Sequence, residues 1–511
     1  MARSANYKPL LFTTTIRNPE RLKDFLSILK LYNEEILSEI YIEKVVKELI
    51  KKGLYKPTKT SDAVKTKWKN EDELTDSETE KVFNDNPQSH KEAGFNKGWA
   101  SRFDTWFKIA KELGLVYYLQ NERIEFSESG KMLLDKENPQ NEQLVFANAF
   151  AKYQRHNPFR RVLNDNVPLI LLIETIKILN QDSEYNGAGI SKKELPILLC
   201  WRNNNAKELY EKIKEVRQEF GFTPSDETIL DICYNLLDET KRDHKSILVD
   251  YPDDFIRKMR LTGLISIRGG GRFLDTNSKE NDAIEFILKN YSKYKAFVTE
   301  RDFFNYISEI DKELISKLTV FKAPIRATTN ELNKWVEFYQ WEILKREMLN
   351  LAYNKPSKDE ILKIIDRPLR LEFLTSLAVL SKIPNIEVKP NFISDDEGLP
   401  SSFASGGNPD IECLENGQTI LIEVTLLTGT QQHIRESQSI RRHLEDFVIK
   451  GVNAFSLFVS PKVFVDTCRN ADFIKFQYSL EIRILDIELF LKQLEKYSTL
   501  RQVAYEASSC L

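Results

Sequence analysis

SGGNPDIECLENGQTILIEVTLLTGTQQHIRESQSIRR, residues 405–442, holds two β-rich runs, IECLE and QTILIEV, on either side of Asn416-Gly417. Asn-Gly between such runs signals a type I′ hairpin, because both central residues of that turn need positive φ. A two-residue turn there sets Glu415 opposite Gln418 and, along the same ladder, Asp410 opposite Glu423. Directly opposed residues project to one face with Cβ atoms about 5 Å apart. Two carboxylates so placed repel unless a cation lies between them, and oxygen ligands of that kind suit Mg2+. The plain alternative is a hairpin with two solvated acids. Three features weigh against it: Pro409 stiffens the strand entry, Glu423 stands among aliphatic residues where an unpaired charge is expensive, and Glu436 follows on the helical run TQQHIRESQSIRRHLEDF.

Pro409-Asp410, twelve residues, then Glu423-Val424-Thr425 resembles the PD-(D/E)xK nuclease core. In that core two acids bind Mg2+, and a lysine two residues after the Glu commonly helps to activate water. Thr425 stands in the lysine's place. The wider pattern is more specific: Glu372 in LEFLTSL, then GGNPD, IEVT and the downstream ESQSIRRHL. This combination is similar to the AlwI family of type IIS restriction endonucleases, which also contains natural strand-nicking enzymes. The resemblance implies Glu372, Asp410, Glu423 and Glu436 as catalytic acids. It implies Mg2+ on Asp410 and Glu423, and the adjacent Val424 carbonyl is a candidate further ligand. Without the lysine, the metal itself, Glu436 and Gln432 are the candidates for activating water, with His433 a weaker one.

Composition is that of an ordinary globular chain: 511 residues, 30% charged, 41% hydrophobic, net charge −3. No global basic field marks a DNA-coating protein, although basic groups confined to a cleft fit this balance. No apolar leader and no run of 18 apolar residues is present, so a prokaryotic cytoplasmic protein with no membrane contact is expected. Cys200, Cys233, Cys413, Cys468 and Cys510 lack CxxC spacing and read as reduced thiols, not as disulfides or a zinc site.

Upstream, LLFTTT (residues 10–15) reads as a strand before Asn18-Pro19, a cap followed by proline at the first helical position. TTTIRNPERL resembles the N-terminus of the same family, which makes Thr13 to Thr15, Arg17 and Arg21 candidate phosphate contacts. From Trp99 the order is helix, Gly114, strand, turn, strand, helix, and the same order returns from Asp253. Trp106 then falls on Phe255, Gly114 on Gly263, Leu115 on Leu264 and Arg123 on Arg272. A helix, a glycine stop, a two-stranded wing and a closing helix make the end of a winged helix-turn-helix, which reads DNA with a helix in the major groove. Between the copies, KYQRHNPFRR (residues 152–161) supplies Arg155, Arg160 and Arg161 as backbone contacts. Arg268-Gly-Gly-Gly-Arg272 forms a slim basic wing tip.

The expected architecture is multidomain. A mainly α DNA-recognition part with winged helix-turn-helix units covers residues 1–160 and 161–285. A helical linker spans 286–340, and an α/β PD-(D/E)xK nuclease domain spans 341–511. The expected function is a type IIS-like endonuclease that binds a short asymmetric double-stranded site and cuts a few bases away. Second-strand cleavage would need a transient dimer or a partner subunit through the catalytic domain. The rivals are a site-specific nicking enzyme, a repair or mobile-element nuclease without sequence preference, and a non-enzymatic winged-helix DNA-binding regulator.

Overall fold

The computed structural model describes residues 6–12, 16, 19–32, 35–69, 72–92, 94–135, 137–160, 162–239, 243–322, 326–403 and 407–510. The chain is mixed α/β and forms two compact units, residues 1–136 with 141–323 and residues 137–140 with 324–511. No helix among the described residues is long and apolar enough to cross a membrane. The stretch read as a linker, 286–340, is shared out: helices Glu300–Ser308 and Lys312–Lys317 fall in the first unit, and Thr329–Phe338 in the second. Leu332 and Trp335 of that last helix are buried in the second unit's core.

The first unit repeats one arrangement. Helix Trp99–Glu112 stops at Gly114 (φ 71°), ahead of an antiparallel ribbon of Val116–Tyr117 and Glu125–Phe126 and helix Glu128–Leu133. Helix Tyr251–Leu261 stops at Gly263 (φ 73°), ahead of the ribbon Ile265–Arg268 and Phe273–Thr276 and helix Asn281–Tyr291. Positive φ alone favours glycine here, and at Gly114 a Cβ would also lie 2.6 Å from the Ser308 nitrogen. In each copy an earlier segment adds to the ribbon: Ile36 bridges Arg123, and Ile190–Ser191 pairs with Phe273 and Leu274. The core positions agree, with Trp106, Phe255, Leu115 and Leu264 all buried. The expected strand at LLFTTT is not formed over its described residues; the Leu10 N–H instead donates to the Leu199 carbonyl. Its residues 13–15 lie outside the described set.

In the second unit, helix α1 (Arg367–Lys382) precedes strand β1 (Glu387–Pro390), strand β2 (Ile411–Glu415) and strand β3 (Gln418–Val424). Helix α2 (Gly429–Ile449), strand β4 (Ala454–Ser460), helix α3 (Val465–Tyr478), strand β5 (Ile482–Asp486) and helix α4 (Ile487–Lys496) follow. The sheet order is β5-β4-β3-β2-β1. Strands β3, β4 and β5 run parallel, while β1 and β2 are antiparallel additions. Asn416 (φ 49°) and Gly417 (φ 78°) make the expected turn, and Glu415 pairs with Gln418. The period-two alternation of a strand sorts side chains to two faces. Ile420 and Ile422 of β3, with Leu457 and Val459 of β4, pack with Leu371, Leu374 and Leu377 of α1. The opposite face carries Leu421 against Leu444 of α2, and Phe458 against Ile440.

The chain's end returns along β5: the Ser509 N–H donates to the Ile484 carbonyl, and the Asp486 N–H to the Ser509 hydroxyl. This brings Cys510 to α3, where it forms a disulfide with Cys468 across 42 residues. The expectation of five reduced thiols is corrected at these two positions; Cys200, Cys233 and Cys413 are free and buried. Spacing along the chain carried no sign of the pairing, because the return of the tail creates it. Cross-linking a loop of this length stabilises by about 2–4 kcal/mol. Cys510→Ser should therefore melt below the oxidised protein, and dithiothreitol should abolish that difference.

Candidate active site

The acids converge at the C-terminal end of β3, from both faces of the sheet. Glu423 is the last outward residue of β3 on the α2 side, and Val424 closes the strand. Asp410 continues the β2 ladder beyond the Ile411–Ile422 pair, which puts it opposite Glu423. Its Oδ2 accepts the Val424 N–H at 2.7 Å, so the carboxylate is tied to the strand it faces. Glu372 arrives from α1, on the other face. Helix α2 brings Glu436, whose Oε1 accepts the Thr425 hydroxyl at 2.9 Å.

Electrostatics give the cluster its character. Burial first, then the charges of Asp410 and Glu423, push the Glu372 carboxyl well above the usual carboxylate range. Its Oε2 is buried with no hydrogen-bond partner. Asp410 is also raised, by burial and then by Glu423, with the Val424 N–H opposing. Glu423 is raised by burial and then by Glu436, and Glu436 by burial alone against the Thr425 hydroxyl. Concentrated, desolvated carboxylates of this kind hold negative charge at a cost that a bound cation relieves. Among the described residues, no three His, Cys, Asp or Glu side chains close on a single metal position. The donor set is nonetheless hard oxygen throughout, and the orphaned Glu372 oxygen is the kind of atom a divalent cation or its water shell satisfies.

His443 joins the site without having been singled out in the sequence. Its Nδ1 lies 2.8 Å from Glu423 Oε1, with both side chains buried and one proton bridging them. Burial lowers the imidazole pKa, while Asp410 raises it. The readable signal is its place on α2, two turns beyond Glu436, where i and i+7 share a face. The weaker candidate His433 is occupied elsewhere, its Nδ1 lying 3.2 Å from the Ser437 hydroxyl. Gln432 is also corrected. Its Nε2 donates to the Leu427 and Lys462 carbonyls, and its Oε1 accepts from the Phe464 N–H and the Thr467 hydroxyl. A fully buried amide with both ends engaged holds loops together and does not activate water.

The expected DNA contacts separate into three groups. Arg17 and Arg161 lie outside the described residues, as do Thr13 to Thr15, while Arg21 donates to the Leu54 carbonyl at 2.7 Å. Arg155 and Arg160 are corrected, because both turn into the protein. Arg155 is 2% exposed and donates to the Trp201 and Lys8 carbonyls. Arg160 pairs with the buried Glu112 at 2.7 Å and donates to the Leu11 and Phe12 carbonyls. Arg268 is half-buried and paired with Asp275 at 3.0 Å. Arg272 is exposed at the ribbon tip and donates to the Gly269 carbonyl.

The AlwI restriction endonuclease family model matches residues 111–337 and 304–489, which together span most of the chain. The chain belongs to the AlwI restriction endonuclease family. Membership makes it a restriction-type DNA nuclease, a hydrolase acting on DNA. A search of curated proteins finds no match. Among solved structures, the small subunit of the heterodimeric restriction endonuclease R.BspD6I is 29% identical, over 30% of this chain and 77% of its own, with a TM-score of 0.25. Restriction endonuclease FokI is 12% identical, over 98% of each chain, with a TM-score of 0.28. FokI bound to DNA gives 12% identity, over 97% of this chain and 96% of its own, with a TM-score of 0.22. Superpositions that loose carry no argument about this fold, and the family match stands without them. The matched segments include Glu372, Asp410, Glu423, Glu436 and His443.

Proposed function

We propose that this AlwI-family member is a Mg2+-dependent type IIS endonuclease. Its first unit binds a short asymmetric double-stranded DNA site through the two repeated ribbon-and-helix modules, acting as winged helices. Its second unit hydrolyses phosphodiester bonds a few bases outside that site. The observation that carries this reading is the cluster of desolvated carboxyls gathered from α1, β3 and α2 at one end of the sheet. Solvated hairpin acids of a DNA-binding regulator would show no such mutual elevation. Arg268 and Arg272 at the second ribbon are the described candidates for DNA contact, and Arg17 and Arg161 remain candidates on sequence grounds.

Asp410 and Glu423 would hold the ion, with the Val424 carbonyl as a further ligand. When bound, Mg2+ supplies charge neutralisation at the scissile phosphate and favours ionisation of the attacking water. Burial raises the Glu436 carboxyl above its ordinary range, the direction that favours a proton acceptor, and the Thr425 hydroxyl fixes one of its oxygens. On this reading Glu436 accepts the water's proton, the work a lysine does where Thr425 stands. His443 holds Glu423 in orientation. Truncating such an orienting partner commonly costs about 10–100-fold in activity or metal affinity. His443→Ala should show that loss in kcat, and His443→Asn, whose amide reaches toward the place of Nδ1, should recover part of it.

Among the described residues each chain carries one such cluster, so each catalytic unit cuts one strand at a time, and a nick is the product unless a second unit pairs with it. The test is supercoiled plasmid incubated with Mg2+, beside an EDTA control. Linear fragments or open circles that vanish with EDTA are expected, and sequencing their ends gives site and offset. Plasmid left intact at every Mg2+ concentration, despite tight DNA binding, would overturn the proposal. Linear product that rises with protein concentration, relative to open circles, would identify pairing as the second step.

A further inference from the structure

The ladder that sets Asp410 opposite Glu423 has a third rung member. Strand β1 pairs with β2 through Pro390 and Ile411, and the next position along sets Asn391 opposite Asp410. Asn391 is 2% exposed, and it holds the Pro409–Asp410 backbone at two points. Its backbone N–H donates to the Asp410 carbonyl at 2.9 Å. Its side-chain Nδ2 donates to the Pro409 carbonyl at 2.7 Å and to Glu412 Oε1 at 3.0 Å. The carbonyls on both sides of the Asp410 α-carbon are therefore fixed by one residue, while the Asp410 carboxylate is fixed by the Val424 N–H. Pro409 adds a φ that the ring has already set.

From this geometry we infer that Asn391 is the positioning residue for Asp410: its amide sets the carboxylate's place opposite Glu423. The inference rests on the nuclease reading of the site. Two observations separate it from plain packing. Turning the amide over would aim Oδ1 at two oxygens, so the residue is specified as a donor and not merely by its volume. The remaining Oδ1 is buried with no hydrogen-bond partner, a penalty that an apolar filler of similar size would avoid. An isosteric Asp would set oxygen against the Pro409 carbonyl and against Glu412, so the site tolerates neither a hydrocarbon nor an acid in this role.

The test uses full-length Asn391→Ala, Asn391→Asp and Asn391→Ser, with wild type and Asp410→Asn beside them. Mn2+ alone is titrated by calorimetry, and plasmid cleavage is measured in Mg2+. Asn391→Ala and Asn391→Asp should weaken Mn2+ binding and lower kcat by about 10–100-fold each, the usual cost of removing a partner that orients a metal ligand. KM for plasmid should stay unchanged, because the proposed reading assigns DNA binding to the first unit. Asn391→Ser keeps one donor and should recover part of both losses. Folded Asn391→Ala or Asn391→Asp proteins with wild-type Mn2+ affinity and wild-type kcat would overturn the inference while leaving the nuclease reading intact. Wild-type protein that neither binds Mn2+ nor cuts would overturn both.

Discussion

Asp410→Asn and Glu423→Gln proteins should leave supercoiled plasmid intact, with cleavage down by about 1000-fold or more, equivalent to about 4 kcal/mol of barrier. They should also be no less stable than wild type in chelator. The first result follows from removing the carboxylates proposed to hold the ion; the second follows because these carboxyls are desolvated and crowded, with pKa values pushed above their ordinary 3.8 and 4.5. A carboxyl raised in the folded state binds more protons folded than unfolded. Its contribution to stability is fully present below the unfolded value and is lost as pH rises through the folded one. The neutral amides escape that loss, so their melting advantage in chelator should be absent at about pH 4 and should grow toward pH 8. A relief of about 1 kcal/mol would read as roughly 2–4 °C in a unit of this size. Scanning calorimetry at both pH values checks it. Amide variants that melt well below wild type at pH 8 would mean that the acids hold the fold together and are not a strained cation site.

The second large effect belongs to the first unit. Arg217 and Glu194 form an ion pair with both side chains fully buried, at 2.7 Å through Nε and 2.9 Å through Nη2. The guanidinium also donates to the Ala188 and Gly189 carbonyls, and Glu194 Oε2 accepts the Ser191 N–H. The pair therefore anchors the segment carrying the added strand Ile190–Ser191 to helix Ala206–Phe220. Removing one partner of a buried pair leaves an uncompensated charge and costs about 3–5 kcal/mol. Arg217→Met should lower the unfolding free energy of the first unit by that amount, read from urea titration at constant m, and weaken DNA binding with it. The double variant Arg217→Met with Glu194→Gln should lose less than the two single losses combined, because neither charge is then stranded. Additive losses would show that the two residues act independently.

Much of the site was legible before any tertiary contact was known. A two-residue turn at Asn416-Gly417 fixes its own register, and that register alone sets Asp410 opposite Glu423. Period-two alternation then sends Glu423 to the face opposite Ile422, and helical periodicity puts Glu436 on α2. The glycine stops at Gly114 and Gly263 are equally local, since positive φ is a demand of one residue's own backbone. His443 was within reach of the same reasoning, two helical turns beyond Glu436.

The tertiary structure alone decided where long or buried side chains find partners. Arg155 and Arg160 read as surface cations because they lie in a basic, aromatic run. They turn inward because the carbonyls of Lys8, Leu11, Phe12 and Trp201, brought from elsewhere in the chain, offer buried acceptors that no local pattern announces. Glu372 belongs to the cluster only because α1 packs on the far side of the sheet and ends its reach at β3. Asn391 meets Pro409, and Cys510 meets Cys468, through pairings that depend on strand order and on the course of the final residues. Sequence fixed what each turn, strand and helix demands of its own neighbours. Contacts between residues far apart in the chain, set by how those elements pack, determined which acids, amides and arginines share one site.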